Sequence, residues 1–221
     1  VADLDSDDWA APERLARQRR ALQEDPDADL CICNAQLEDG RGRPIVQMFD
    51  HKGYVAPTSL EAMFQAAWAA PSTWMLRTET AKALPFDTAT RYQEDVEFLY
   101  RLQWGGHRVV TIDDVLVHYQ ADDPPEGETR MSENRRDMDA YWAQVHASNW
   151  ERLSPEQRAG IHRPPHVHRR FAKHYLRQGD YRRAEPHCRA WWLSRPHRAR
   201  PLLHWLTCLA RRGGGKRNAE T

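Results

Sequence analysis

The chain has 221 residues, of which 32 are basic and 32 acidic, so its formal net charge is zero. Hydrophobic residues make up 40% of it, which excludes a globally disordered protein, and no apolar run reaches the roughly 18 residues of a transmembrane helix. The charge is unevenly divided, because residues 1–150 hold 15 basic and 27 acidic side chains whereas residues 151–221 hold 17 and 5. This asymmetry predicts two parts with different partners.

The first part of the chain reads as alternating strands and helices, which predicts an α/β domain over residues 1–150. In chain order we expect a strand at 1–4, a helix from about Pro12, and a strand at 28–37 with a return strand at 43–49. A helix from Ser59 to about Trp68 begins with a Thr58–Glu61 capping box, and a strand is expected at 72–77. A helix from Glu94 ends at Gly105, strands follow at 108–112 and 115–119, and the last helix is expected at 131–147. The acidic, proline-rich stretch 121–130 predicts a mobile loop.

The second part of the chain predicts a small all-α extension over residues 151–212. Three helices are expected at 166–178, 181–194 and 199–211. Gly179 ends one helix and Asp180 caps the next, which is the turn of a tetratricopeptide-like hairpin. Residues 213–221 predict a disordered tail.

The four cysteines indicate a reducing compartment. They are Cys31, Cys33, Cys188 and Cys208, and no Cys-x-x-Cys pair occurs among them. We therefore expect buried, reduced thiols in a cytoplasmic protein, with Cys31 and Cys33 pointing to one face of a strand.

Three acidic residues, Asp5, Asp7 and Asp8, follow the first predicted strand. Carboxylates this close repel one another unless a cation or hydrogen-bond donors offset their charge. Mg²⁺ and Mn²⁺ prefer oxygen ligands and keep positions open for phosphate oxygens, and α/β folds place such sites at the carboxyl edge of the sheet. The alternative interpretation is an acidic turn that caps the following helix.

Two further groups are candidates for chemistry. Glu94 and Asp95 open an amphipathic helix, whose dipole would keep a general base ionised, although an acidic first turn is also common without any catalytic role. His118 ends a strand after Asp113 and Asp114, where it could bind a metal or phosphate or be purely structural.

The order of these motifs resembles a family 2 glycosyltransferase of the GT-A fold over roughly residues 1–120. The resemblance is carried by VADLDSDDW at residues 1–9, Gln18, ADLCICNAQL at 28–37, a strand segment with Ser72 and Arg77, PFD at 85–87, EDVEFLYRL at 94–102 and GHRVVTIDDVLVHY at 106–119. It implies the C-terminal portion of a Rossmann-like domain with a mixed sheet.

The resemblance also implies roles for individual residues. Asp5 and Asp7, with Asp8 adjacent, would bind a divalent cation, Mn²⁺ or Mg²⁺, and through it the diphosphate of a nucleotide-sugar donor. His118 is a further metal candidate. Asp95, beside Glu94, would be the base that deprotonates an acceptor hydroxyl, with inversion at the anomeric carbon.

The acceptor side of the site is implied less directly. Asp87 would lie near the acceptor pocket, although the family's usual GxFDE is LPFDT here, and Ser72 is placed in the same region. The acceptor implied is a sugar, a lipid-linked or cell-surface group, or a protein. The family's first half, which holds the nucleoside base, is absent, so we expect this chain to bind nucleotide sugars poorly. The alternative from another class is a non-catalytic binding or scaffold fragment.

The basic second part leaves three interpretations open. It could be a helical lid or oligomerisation module with a solvated arginine face, or it could lie on an anionic membrane surface at the inner side of the membrane. Nucleic-acid binding is the third and least favoured, since no recognition motif accompanies the charge. His166 and His168 resemble a metal pair only superficially, because no carboxylate or cysteine accompanies them.

Overall fold

The computed structural model describes residues 1–90, 92–120 and 135–212. The chain divides into two compact units, Val1–Met138 and Asp139–Thr221. The first unit is α/β, and the described residues of the second are helical. The predicted loop at 121–130 and tail at 213–221 lie outside the described residues.

The described elements of both units follow in chain order. They are β1 (Trp9–Ala10), α1 (Arg14–Glu24), β2 (Ala28–Glu38), β3 (Pro44–Gln47), α2 (Leu60–Phe64), a 3₁₀ turn (Pro71–Thr73), β4 (Trp74–Leu76), α3 (Thr78–Ala83), α4 (Glu94–Trp104), β5 (Arg108–Gln120), α5 (Arg135–Glu151), α6 (Pro155–Gly160), α7 (Pro165–Arg177), α8 (Tyr181–Leu193) and α9 (Ala199–Arg212).

The sheet of the first unit is mixed and open, with β2 at its centre. β2 pairs in parallel with β5, and β5 pairs antiparallel with β1. The other edge of β2 is shared by two short antiparallel strands, β4 and β3. Nearly every residue of β2 is buried, as expected for a strand covered on both faces. The prediction of an α/β unit with a mixed sheet is confirmed.

Several predicted boundaries in the first unit differ from the structure. Residues 1–4 form only an isolated bridge, Ala2 to Met75, and no strand. The two strands predicted at 108–119 are one strand, β5, whose register against β2 shifts around Asn34. The helix predicted from Ser59 to Trp68 ends at Phe64, and its cap is the Ser59 hydroxyl, which accepts from the Ala62 amide, so Thr58 is not the cap.

A buried polar pair on α1 connects three segments of the first unit. The Arg14 guanidinium donates to the carbonyls of Asp3 (2.7 Å) and Trp74 (3.0 Å) and, through Nε, to the Gln18 amide oxygen. The Gln18 amide nitrogen donates to the carbonyls of Cys31 (3.1 Å) and Thr73 (2.7 Å). Because Arg14 and Gln18 are almost fully buried, these bonds fix the segments around β2.

The helical unit contains the predicted hairpin. α7 ends at Arg177 and is followed by Gly179, whose φ of +72° favours glycine. The Asp180 carboxylate then caps α8 by accepting from the Arg183 amide. Cys188 and Cys208 are buried where α8 and α9 face each other, and all four cysteines are free and buried, as expected. Among the described residues, no helix is both long enough and apolar enough to cross a bilayer.

We expect Gln18→Ala to destabilise the protein by about 2–4 kcal/mol, because it removes the amide that donates to two buried carbonyls and also removes an acceptor of Arg14. Urea unfolding followed by circular dichroism measures the change. Gln23→Ala, at an exposed position of the same helix, is the matched control and should change stability by less than about 0.5 kcal/mol. Equal stability of the two variants would contradict the role given to Gln18.

Candidate functional site

The acidic loop before β1 and the first turn of α4 line one cavity, which we call the acidic cleft. Its volume is about 420 Å³. It is lined by Asp5, Ser6, Asp7, Pro71, Tyr92, Gln93, Glu94, Asp95, Tyr119, Gln120 and Met138. The two acidic motifs, far apart in sequence, therefore meet at one place in the first unit.

A smaller cavity of about 280 Å³ adjoins the acidic cleft and shares four of its residues, Asp5, Pro71, Glu94 and Asp95. Phe86 forms part of its wall, with 44% of the side chain exposed and its ring 5.0 Å from that of Phe98. The side cavity thus offers an apolar surface next to the carboxyl group of Asp95.

The Ser72 hydroxyl holds the acidic loop in place. It accepts from the Asp5 amide at 2.9 Å and donates to the Asp8 carboxylate at 2.5 Å, and the Gln120 amide donates to the other Asp8 oxygen. Asp8 is therefore used to anchor the loop, and it does not line the acidic cleft. Ser72 is fully buried, so its position suits support of the loop better than direct contact with an acceptor.

The exposed carboxylates of the loop, Asp5 and Asp7, face the cleft. Partial burial raises the pKa of Asp5, repulsion from Asp7 raises it further, and the Ser72 hydroxyl opposes the shift. Among the described residues that line the cleft there is no lysine or arginine. Four carboxylates that share one cavity repel one another, and a cation bound between them would offset that repulsion.

The donor set in the cleft fits a hard divalent cation that is shared with a ligand. Within residues 1–90, 92–120 and 135–212, no three His, Cys, Asp or Glu side chains converge tightly enough to form a closed metal cage. Mg²⁺ and Mn²⁺ at phosphate sites commonly use one or two carboxylates and take the remaining ligands from water and phosphate oxygens. Asp5 and Asp7 could supply that pair of carboxylates.

The first turn of α4 presents Asp95 to both cavities. Its Oδ1 accepts from the Val96 amide at 2.8 Å, as expected of an acid at a helix N-terminus. Burial nevertheless dominates and, with repulsion from Glu94 and Asp5, raises the pKa of Asp95 to about 6. A carboxyl group with this pKa can accept a proton near neutral pH, which suits a general base.

The residue before α4 has an unusual backbone. Gln93 has φ +61° and ψ +31°, in the left-handed region that residues with side chains rarely occupy. Such strain costs roughly 1–3 kcal/mol and is found preferentially at functional sites. At this position it sets the direction in which Glu94 and Asp95 enter the cleft.

His118 lies on β5, opposite Trp9 of β1. Its Nδ1 is 2.5 Å from a Glu38 carboxylate oxygen, and its ring stacks on Trp9 with centroids 3.5 Å apart. It is not among the residues that line the acidic cleft, although its neighbours Tyr119 and Gln120 are. These contacts give His118 a structural place in the sheet, and its role as a metal ligand stays a prediction.

Asp87 is also outside both cavities. Its carboxylate accepts from the Ala89 amide and the Thr90 hydroxyl, and these bonds lower its pKa. The preceding residue, Phe86, is the one that reaches the side cavity. The PFD motif thus contributes its aromatic ring to the site, while its acid stabilises the turn.

Sequence reasoning missed several residues of the cleft, mainly Tyr92, Gln120 and Met138. Tyr92 comes two residues before the Glu94–Asp95 motif, and that adjacency is a signal that could have included it. Gln120 is the last residue of β5 and Met138 lies in α5, and residue types do not reveal that these positions line the cleft.

A larger groove of about 900 Å³ lies elsewhere in the first unit, lined by residues of α1, β4 and α3. Its lining is mostly apolar, and its Arg77 side chain is taken up by the carbonyls of Leu22, Asp25 and Ala28. Because it lacks a cluster of reactive groups, we place the candidate site in the acidic cleft.

Comparison of the sequence with models of known protein families finds no match, and a search of curated proteins finds no significant match either. The candidate function therefore depends on the geometry of the cleft and on the order of the sequence motifs.

We expect Asp95→Asn to stabilise the folded protein by up to about 3 kcal/mol at pH 7–8. The folded-state pKa is raised above the ordinary value of 3.8, so the ionised carboxylate opposes folding at and above pH 6. The gain should shrink as the pH falls through 6 and vanish near pH 4, where the carboxyl is protonated in both states. Urea unfolding across this pH range measures it, with the exposed Asp113→Asn as control. A gain that does not depend on pH would contradict the raised pKa.

Proposed function

We propose that the first unit carries the reaction centre of a metal-dependent, inverting glycosyltransferase of the family 2 type, built on part of a GT-A fold. The observation that supports this most is the convergence of Asp5 and Asp7 with Glu94 and Asp95 on one cleft. A cation-binding acid pair and a base of raised pKa in one cavity are the two parts that such a transfer needs.

The donor side of the reaction depends on Asp5 and Asp7. They would hold Mn²⁺ or Mg²⁺, which when bound neutralises the charge that develops on the leaving diphosphate of a nucleotide sugar. The described lining contains four carboxylates, which would repel a diphosphate unless a cation lies between them. Recognition of the donor is thus expected to be strictly cation-dependent.

The acceptor side depends on Asp95. Its ionised carboxylate takes the proton of the acceptor hydroxyl while that oxygen forms a bond to the anomeric carbon. The bond between the anomeric carbon and the diphosphate oxygen breaks, and its electron pair leaves with the diphosphate. Attack from the face opposite the leaving group inverts the anomeric centre. Phe86 offers the apolar face of a sugar a surface to pack on.

The first test concerns the acid pair. We expect the chain to bind Mn²⁺, and to bind UDP or GDP weakly and only when Mn²⁺ is present, because the diphosphate meets four carboxylates otherwise. Isothermal titration calorimetry measures both equilibria. The double variant Asp5→Asn, Asp7→Asn should bind neither Mn²⁺ nor the nucleotide.

The double variant Asp113→Asn, Asp114→Asn is the charge-matched control, since these exposed acids lie on β5 outside the cleft residues. Nucleotide binding that is equal with and without Mn²⁺, or equal in the two double variants, would contradict the proposal.

The second test concerns the base. Asp95→Asn should lower the rate of sugar transfer from a nucleotide sugar by about a hundredfold or more, while Mn²⁺ binding remains. For the unmodified chain the rate should rise with pH through about 6, because Asp95 must lose its proton to act. Mass spectrometry of the products from a panel of donors and acceptors provides the measurement. Mn²⁺ binding with no transfer to any acceptor would favour a non-catalytic scaffold that retains the binding site.

A further inference from the structure

The helical unit has more positive charge than its own acids can balance. Its described acids are all engaged: Asp139 pairs with Arg170, Glu151 and Asp180 pair with Arg183, Glu156 accepts from Ser154, and Glu185 accepts from Trp205. In the part of the chain that the structure describes, no carboxylate lies within ion-pair distance of Arg169, Lys173, Arg195 or Arg200. These four residues, which we call the cation cluster, are available to an external anion.

Members of the cation cluster lie close together. Arg169 and Arg195 line a cavity of about 180 Å³ whose other walls are Pro165, His166 and the buried ring of Trp191. Lys173 follows Arg169 by one turn of α7, and its pKa is lowered by partial burial and by repulsion from Arg169 and Arg200. Arg200, on α9, is close enough to Lys173 to repel its charge, so α9 also contributes to the cation cluster. Like charges in such proximity favour the binding of anions between them.

The outer face of α9 presents exposed leucines, with Thr207 beside them. The side chains of Pro201 and Cys208 are buried, whereas Leu203, Leu206 and Leu209 are 62%, 49% and 45% exposed. Leu203, Leu206 and Ala210 follow the three- and four-residue spacing of one helical face. Arg200 lies one turn before Leu203, so this leucine face borders the cation cluster. Exposed apolar stripes of this kind mark an interaction surface.

We propose that this surface docks on a bilayer that contains anionic phospholipids, with Leu203 and Leu206 in the interfacial region and the cation cluster on headgroup phosphates. Charge complementarity decides the occupant: a basic rim beside exposed leucines matches an anionic lipid surface. A second copy of this chain would bring an identical cation cluster close to this one, and like charges would repel. The proposal is independent of the glycosyltransferase assignment.

Co-sedimentation of the whole chain with vesicles tests it. We expect binding to phosphatidylcholine vesicles that contain phosphatidylglycerol, much weaker binding to pure phosphatidylcholine, and release as the salt concentration rises. The assay contains no sugar or nucleotide, so its outcome is separate from that of the transfer and titration experiments. Equal binding to both kinds of vesicle, or to neither, would overturn the proposal.

Variants separate the two components of the surface. Arg169→Gln with Arg195→Gln should weaken binding to anionic vesicles by about thirtyfold, since each basic residue near the surface contributes about fivefold. The charge-matched control is Arg182→Gln with Arg189→Gln, two exposed arginines on the side of α8 away from Trp191, and it should bind nearly as the unmodified chain does. Equal loss in both pairs would indicate unspecific attraction and contradict the proposal.

The leucine face has its own test. Leu203→Gln with Leu206→Gln should weaken vesicle binding by about tenfold or more without changing the circular dichroism spectrum, because both side chains are exposed. Unchanged binding would contradict the proposal. Sedimentation velocity without lipid provides the second readout: a monomer agrees with it, whereas a dimer that the leucine variant dissociates would assign the face to a second copy and overturn it.

Discussion

Arg14 and Gln18, one turn apart on α1, join the acidic loop, the segment before β4 and the central strand β2 through hydrogen bonds to main-chain carbonyls. Few apolar contacts hold the loop itself, because Val1 and Leu4 are largely exposed. The position of the loop is therefore set by directional bonds. Buried polar groups satisfied in this way define one arrangement, since any shift of register would leave several of them unpaired in a medium of low dielectric constant.

The same network decides which acids remain available for chemistry. Ser72 lies next to Thr73 and bonds both the Asp5 amide and the Asp8 carboxylate. Asp8 therefore anchors the loop, whereas Asp5 and Asp7 face the cleft. Burial, and in smaller part repulsion from Glu94 and Asp5, raises the pKa of Asp95, so its ionised form opposes folding. A protein that accepts this cost, together with the strained backbone of Gln93, has the trade-off of stability for function expected at an active site.

Much of the fold could be predicted where local signals are strong. The glycine stop of α4, the hydrophobic run of β2 and the Gly179–Asp180 turn each have a local physical cause, and the structure has these elements where the sequence indicated them. Prediction failed where tertiary context decides. Residues 1–4 reach β4 only through the bridge of Ala2 to Met75 and the main-chain bonds of Val1 to Leu76, which are too few for a strand. β5 is one strand because it pairs with β2 on both sides of Asp113 and Asp114, where the register shifts.

The candidate site shows the same division. The types and spacing of the acids at Asp5, Asp7, Glu94 and Asp95 were visible in the sequence, and the structure adds that they meet. The sequence did not show that adjacent residues of these motifs have different functions. Asp8 differs from Asp7 only in which donor it meets, and Asp87 differs from Phe86 only in the direction of its side chain. Residue type does not carry that information, because it arises from packing.

The two proposed sites would bind phosphate groups by opposite means. Under the proposed function, the acidic cleft would bind a diphosphate through a cation, so its affinity would depend on a chelator and little on moderate salt. The cation cluster needs no metal, and because its charges lie at the surface, its affinity would fall with salt and ignore a chelator. The net charge of zero therefore results from an acidic site in the first unit and a basic surface in the second. Because their dependences on chelator and salt differ, occupation of one surface by an anion can be distinguished experimentally from occupation of the other.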